Sequence, residues 1–142
     1  MNVPAFSIFS AVAELFVTAI VLYTLIANLR GGVFRWKLLG VALLFEVCVN
    51  VMYMIHRAAA ADADASVQGA MAALFAVHGI LSLVMLIALL LVYVACTFYH
   101  KAGQPTWVQS HPLSSWTLIG LWILAVGSGE VAFVWRYFLM AA

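Results

Sequence analysis

Residues 69–99 read GAMAALFAVHGILSLVMLIALLLVYVACTFY, an uncharged and almost wholly apolar stretch. A helix needs about 20 apolar residues to cross the hydrocarbon core of a membrane. This stretch is longer than the core requires, so we expect a helix that is tilted or that projects beyond the core. A run of this length and composition predicts a membrane-spanning helix.

Three further stretches of the same kind complete the chain, at about residues 6–29, 33–56 and 113–140. Of the 142 residues, 68% are hydrophobic and 8% are charged, whereas a soluble domain is about 25% charged. The connections between the stretches are short, which favours neighbouring antiparallel helices. The sequence therefore predicts an all-α membrane protein: a single domain, residues 1–142, with four transmembrane helices in an up-down antiparallel bundle.

Basic residues near the ends of the predicted spans predict the orientation of the chain, because cytoplasmic connections are rich in Lys and Arg. One side carries the larger set, namely Arg30, Arg35, Lys37 and Lys101. The other side carries Arg57 and Arg136. The first side is then cytoplasmic and both termini lie outside, as in a multi-pass protein of the bacterial inner membrane. The net charge of +1 gives no sign of a nucleic-acid partner, so the lipid bilayer is the first partner that we expect.

Glu14, Glu46 and Glu130 all lie inside predicted spans, although Asp and Glu total only five in the chain. A charged side chain at the centre of a membrane helix costs on the order of 2.5–3.5 kcal/mol on insertion scales. Such residues usually face the interior of a bundle, a cavity or a partner. The three glutamates are therefore the first candidates for a functional site.

The height of each polar residue above the predicted cytoplasmic edge indicates which of them meet. At 1.5 Å rise per residue, Glu14, His56, His78 and Glu130 lie roughly 24–33 Å above that edge, and Glu46 lies roughly 13 Å above it. Each of the first four residues comes from a different helix. Facing helices of a bundle build metal sites from such carboxylates and imidazoles, so we expect a Glu/His metal site near the outer face.

The ligand types suit a transition metal ion such as copper, iron or zinc. Glu46, Asn50 and Tyr53 share one face of the second span, and we interpret them as residues that support the ligands or relay protons. His100 and His111 are further candidate ligands near the cytoplasmic edge. A metal ion is favoured over haem, because bis-histidine ligation needs two histidines at nearly equal height. An internal network of Glu–His and Glu–Arg pairs is the alternative.

Three segments of the chain resemble a known family of membrane proteins. They are Tyr53-Met-Ile-His56, Ala76-Val-His78-Gly-Ile-Leu and His111-Pro-Leu-Ser-Ser-Trp116-Thr. Together they resemble the four-helix membrane proteins of domain-of-unknown-function family 420, which includes proteins that mature haem-copper terminal oxidases. The resemblance implies that His56, His78 and His111 match histidines of the family. It also implies an accessory or maturation factor of a respiratory haem-copper oxidase, with the terminal oxidase as partner.

Two other functions are open at the level of sequence. The same Glu/His site would serve a membrane metalloenzyme or a haem-binding redox protein. Alternatively, the chain is a structural subunit of a larger membrane complex, since it has little mass outside the predicted spans. The sequence has no GxSxG, P-loop, GxGxxG or HExxH motif, so it does not indicate whether a reaction is catalysed.

Overall fold

Helices account for the regular structure in the part of the chain that the structure describes. The computed structural model describes residues 4–59 and 70–139, with side chains for 4–55 and 73–138. In chain order, the α-helices are α1 (Ala5–Leu29), α2 (Trp36–Ala59), α3 (Ala70–Lys101), α4 (Trp107–Ser110) and α5 (Pro112–Val134). A π-helical turn, Trp135–Leu139, follows α5 directly. The prediction of an all-α protein is confirmed for these residues.

Four of these helices are long and apolar enough to cross a membrane. The segments with this property are Ala5–Leu29, Trp36–Ile55, Ala73–Lys101 and Pro112–Phe138. They coincide with the four predicted spans to within a few residues at each end that the structure describes. The predicted span ends at residues 69 and 140 and the side chain of Arg57 lie outside the described residues. The helices indicate a multi-pass integral membrane protein.

The second helix begins at Trp36, later than the start at residue 33 that hydrophobicity predicts. The chain leaves α1 through Gly31, whose φ of 85° lies in the left-handed region that glycine adopts most easily. Asn28 then donates a hydrogen bond from Nδ2 to the carbonyl of Gly32, at 3.1 Å. This turn keeps Val33 out of the helix in spite of its apolar side chain.

The four long helices form a ring in which each one packs against two others. Helix α1 contacts α2 and α5, and α3 contacts the same two helices from the opposite side. The contact between α3 and α5 is the most extensive, and α2 packs less extensively on α3 than on α1. The weakest seam of the ring therefore lies between α2 and α3.

An apolar core fills the middle of the ring. Its largest fully buried side chains are those of Val21, Leu25, Leu39, Leu43 and Leu89. Large apolar side chains also cover the outside of the ring, as a membrane-spanning bundle requires where its helices face lipid. This core separates the two ends of the bundle, and polar side chains lie at both of them.

One end of the bundle holds a network of polar and aromatic side chains, and we call it the Thr106 end. Thr106 Oγ1 donates to Asn28 Oδ1 at 2.5 Å, and both residues are buried. Thr106 also caps α4, because Gln109 N donates to its hydroxyl and the Gln109 side chain accepts from Thr106 N at 3.0 Å. The ring of Phe34 meets the ring of His100 edge-on, with centroids 6.1 Å apart. The opposite end, which holds Tyr137, is called the Tyr137 end.

Candidate functional site

A cavity of about 910 Å³ lies between the four long helices at the Tyr137 end. Its wall combines carboxyl, imidazole, guanidinium, amide and phenol groups with apolar and aromatic side chains. The ionisable side chains in this wall, apart from the phenols, are those of Glu14, Glu46, His78, Glu130 and Arg136. The residues that the sequence placed near the outer face therefore meet around one space, as far as their side chains are described.

The three glutamates reach the cavity from three different helices. On α1, Ser7, Ser10 and Glu14 all line the cavity, because they follow one another at the i, i+3 and i+4 spacing of a helix face. The Glu14 carboxyl group lies near enough to interact electrostatically with that of Glu46 and with that of Glu130. Three of the five acidic residues of the chain therefore line this cavity.

Glu46 lines the same cavity, although its predicted height is lower than that of Glu14. The α2 residues in the wall run from Glu46 to Met54, which is just over two helical turns or about 12 Å, so the cavity extends over this depth. Glu46 is only 6% exposed. Its Oε1 accepts a hydrogen bond from Asn50 Nδ2 at 2.8 Å, and the same Nδ2 group donates to the Glu46 carbonyl at 3.0 Å.

Glu130 differs from Glu46 in its hydrogen bonding. Its Oε1 is buried and accepts no hydrogen bond from any residue that the structure describes. A buried polar oxygen without a partner costs free energy unless water or a ligand satisfies it. We therefore expect water, a ligand or a side chain outside the described residues to satisfy this oxygen.

His78 joins α3 to α5 on one wall of the cavity. Its Nδ1 donates to the carbonyl of Ala125 at 3.2 Å and lies 3.0 Å from Ser128 Oγ and 3.3 Å from Ser82 Oγ. The ring lies close to Gly129, where an added Cβ atom would sit 3.0 Å from Nε2. With the proton on Nδ1, the Nε2 atom is the one that keeps a lone pair.

Arg136 and Tyr137 belong to the site, although the sequence did not single them out as ligands or as supporting residues. The Arg136 guanidinium lies 5.8 Å from the ring centre of Phe75 and 5.5 Å from that of Tyr137. The Tyr137 hydroxyl lies 3.2 Å from Ser7 Oγ on α1. Both residues lie in the π-helical turn Trp135–Leu139, whose wider winding changes the direction of successive side chains. Arg136 and Tyr137 follow Gly129 and Glu130 by seven residues, which is two turns of a helix, and all four residues line the cavity.

The remaining predicted site residues have different positions. Asn50 and Tyr53 line the cavity. The side chain of His56 lies outside the described residues. His100 and His111 are not in the cavity wall: His100 packs on Phe34, and His111 stacks on Trp107 with ring centres 5.1 Å apart.

The carboxylate and imidazole donors around the cavity suit a transition metal ion in type. Among the residues whose side chains the structure describes, no three His, Cys, Asp or Glu side chains converge closely enough to hold a metal ion. A site built from Glu14, Glu130 and His78 would therefore need His56 or a movement of its ligands.

Comparisons with protein-family models, with curated proteins and with solved structures give no match for this chain.

Proposed function

We propose that this protein is an integral membrane accessory protein whose cavity at the Tyr137 end binds a cation. One observation supports this most directly: Glu14, Glu46 and Glu130 line a single cavity together with His78. Carboxyl groups inside membrane spans are costly, so their concentration around one space favours a binding role over scattered structural roles. In the described part of the wall, three carboxyl groups face one guanidinium, that of Arg136, so a bound cation would stabilise the ionised form of these carboxyl groups.

The topology that we propose is an up-down antiparallel bundle in the bacterial inner membrane, with both termini outside. Ser7, near the start of α1, contacts Tyr137 after the end of α5. Asn28, near the end of α1, contacts Thr106 before the start of α5. These two contacts support an antiparallel α1–α5 pair. The excess of basic residues near the Thr106 end supports a cytoplasmic position for that end, which puts the cavity in the outer half of the membrane.

In its most specific form, the proposal is that the cation is copper, iron or zinc and that the protein serves the maturation of a respiratory haem-copper oxidase. The resemblance of the segments at His56 and His78 motivates this form. Glu14, Glu130 and the two histidines would then be the ligands. The bond from His78 Nδ1 to the Ala125 carbonyl supports it, because metal-binding histidines usually donate their other ring N–H to such a group.

Metal analysis of the protein purified in detergent tests this form of the proposal. We expect the wild-type protein to retain copper, iron or zinc after dialysis. We also expect Glu130→Gln to weaken binding by about tenfold or more, because the variant removes a ligand charge. Cys48→Ser is the control, since Cys48 is an exposed thiol outside the cavity wall and its loss should leave the metal content unchanged.

Two outcomes would contradict the metal form of the proposal. A colourless protein that binds none of the three metals above background would do so directly. Metal lost equally in Cys48→Ser and in Glu130→Gln would place the metal elsewhere or on no defined site. An optical spectrum distinguishes a bound haem from a bound metal ion. A Soret band that is present in the wild type and disappears in His78→Ala would identify His78 as a haem ligand.

A further inference from the structure

Contacts between described side chains link neighbouring helices at three seams around the cavity. The bridging pairs are Ser7–Tyr137 between α1 and α5, Phe6–Tyr53 between α1 and α2, and His78–Ser128 between α3 and α5. The fourth seam, between α2 and α3, is the one with the least extensive packing. An opening between two helices would disturb the least packing at that seam.

Apolar side chains on both sides of the α2–α3 seam line the cavity and are also exposed on the outside of the bundle. Met54 on α2 is 67% exposed, and Ile80 and Leu83 on α3 are 67% and 57% exposed. A side chain that lines the cavity and is also exposed on the outside of the bundle lies at the rim of an opening. These three residues also lie within the segments that are apolar enough to cross a membrane. The opening therefore faces the acyl chains of the lipids.

The interior of the cavity is suited to a cation that is larger than a metal ion. Its volume of about 910 Å³ is that of a pocket for a small organic molecule, for which about 300–1,000 Å³ is usual. The rings of Phe75 and Tyr137 in the wall already lie beside one cationic group, the Arg136 guanidinium, and the ring of Phe133 also stands in the wall. Aromatic faces and carboxylates together recognise ammonium-type cations that carry apolar groups. The buried Glu130 Oε1, without a partner among the described residues, gives such a cation a position for its charge.

We propose that the cavity binds a lipophilic organic cation, such as an amine or quaternary ammonium with an apolar group, which enters from the bilayer between α2 and α3. This inference rests on the proposed cation-binding function and names its ligand class and its route. The apolar rim admits the apolar group, and Glu14, Glu46 and Glu130 hold the positive charge.

Tetraphenylphosphonium is a suitable probe, because it is lipophilic, permanently charged and unable to act as a metal. We expect the purified protein to bind it with a change in tryptophan fluorescence, to which Trp122 in the cavity wall contributes. Glu130→Gln should weaken this binding by about tenfold or more. Triphenylphosphine oxide, a neutral molecule of similar shape, should not compete. Equal binding of the two molecules, or equal affinity in the wild type and in Glu130→Gln, would overturn the proposal.

The route is tested separately with the protein in lipid vesicles. We expect Ile80→Trp, which adds bulk to the rim, to slow association of tetraphenylphosphonium by about tenfold. Ile87→Trp is the matched control, because Ile87 is 50% exposed on the same helix but does not line the cavity. Equal association rates in the two variants would overturn the α2–α3 route.

Metal analysis on the same samples distinguishes the two proposals. Metal that binds and is lost in Glu130→Gln, without binding of tetraphenylphosphonium, would leave the cation-binding function in place and overturn the organic ligand. A protein that binds neither cation would overturn both. Binding of the phosphonium alone, sensitive to Glu130→Gln, would support the organic cation and contradict the metal form.

Discussion

Thr106→Val is expected to lower the free energy of unfolding by about 2–4 kcal/mol, because two hydrogen bonds depend on the threonine hydroxyl. Valine keeps the shape of threonine and replaces only this hydroxyl with a methyl group. That hydroxyl donates to Asn28 Oδ1 at 2.5 Å and accepts from Gln109 N. The variant leaves the Asn28 oxygen buried without its donor, at a cost of about 1–3 kcal/mol. It also removes the cap of α4, which contributes about 1 kcal/mol.

Denaturant unfolding in detergent, followed by circular dichroism, measures the effect of Thr106→Val. Thr117→Val is the matched control, because Thr117 is exposed on α5 and its hydroxyl donates only to the carbonyl of Leu113 in the same helix. We expect this control to change the free energy of unfolding by less than about 0.5 kcal/mol. If the two variants lose equal stability, the Thr106–Asn28 bond does not hold α1 to the segment before α5.

The four long apolar helices could be predicted from the sequence, because a run of about 20 apolar residues is the signal of a helix that can cross a membrane. The short helix α4 was missed for the opposite reason, since four residues are too few to show a hydrophobic period. Its signal was nevertheless present: Thr106 and Gln109 have the spacing of a capping box, and their side chains form one. Capping residues can thus reveal a helix that periodicity cannot.

The candidate site was predictable to the extent that it depends on height along the helices. Counting residues brought Glu14, His78 and Glu130 to one level, and all three line one cavity. The height of each residue along its helix does not show how deep the cavity is. The sequence therefore placed Glu46 below the other three residues, although Glu46 lines the same cavity. The hydrogen-bond partners of His78 depend on how α3 and α5 are rotated relative to each other. The pattern of residues along each helix does not determine this rotation.

Gly129→Ala is expected to lower the free energy of unfolding by about 1–3 kcal/mol, because the new methyl group has no room. A Cβ atom at Gly129 would lie 2.6 Å from His78 Cε1 and 3.0 Å from Nε2. The ring has little freedom to move, since Ala125 and Ser128 hold its Nδ1 atom. The variant must displace the ring and its hydrogen bonds, or separate α3 from α5 at their most extensive contact.

The matched control is Gly127→Ala on the same helix, where an added Cβ meets nothing within 4 Å. We expect this control to be neutral or slightly stabilising, because alanine favours the helix over glycine by about 0.5–1 kcal/mol. A double-mutant cycle then isolates the cause. In a His78→Ala background the ring is absent, so Gly129→Ala should lose most of its effect. If Gly129→Ala costs the same free energy with and without His78, steric conflict with the imidazole is not the reason that glycine is required there.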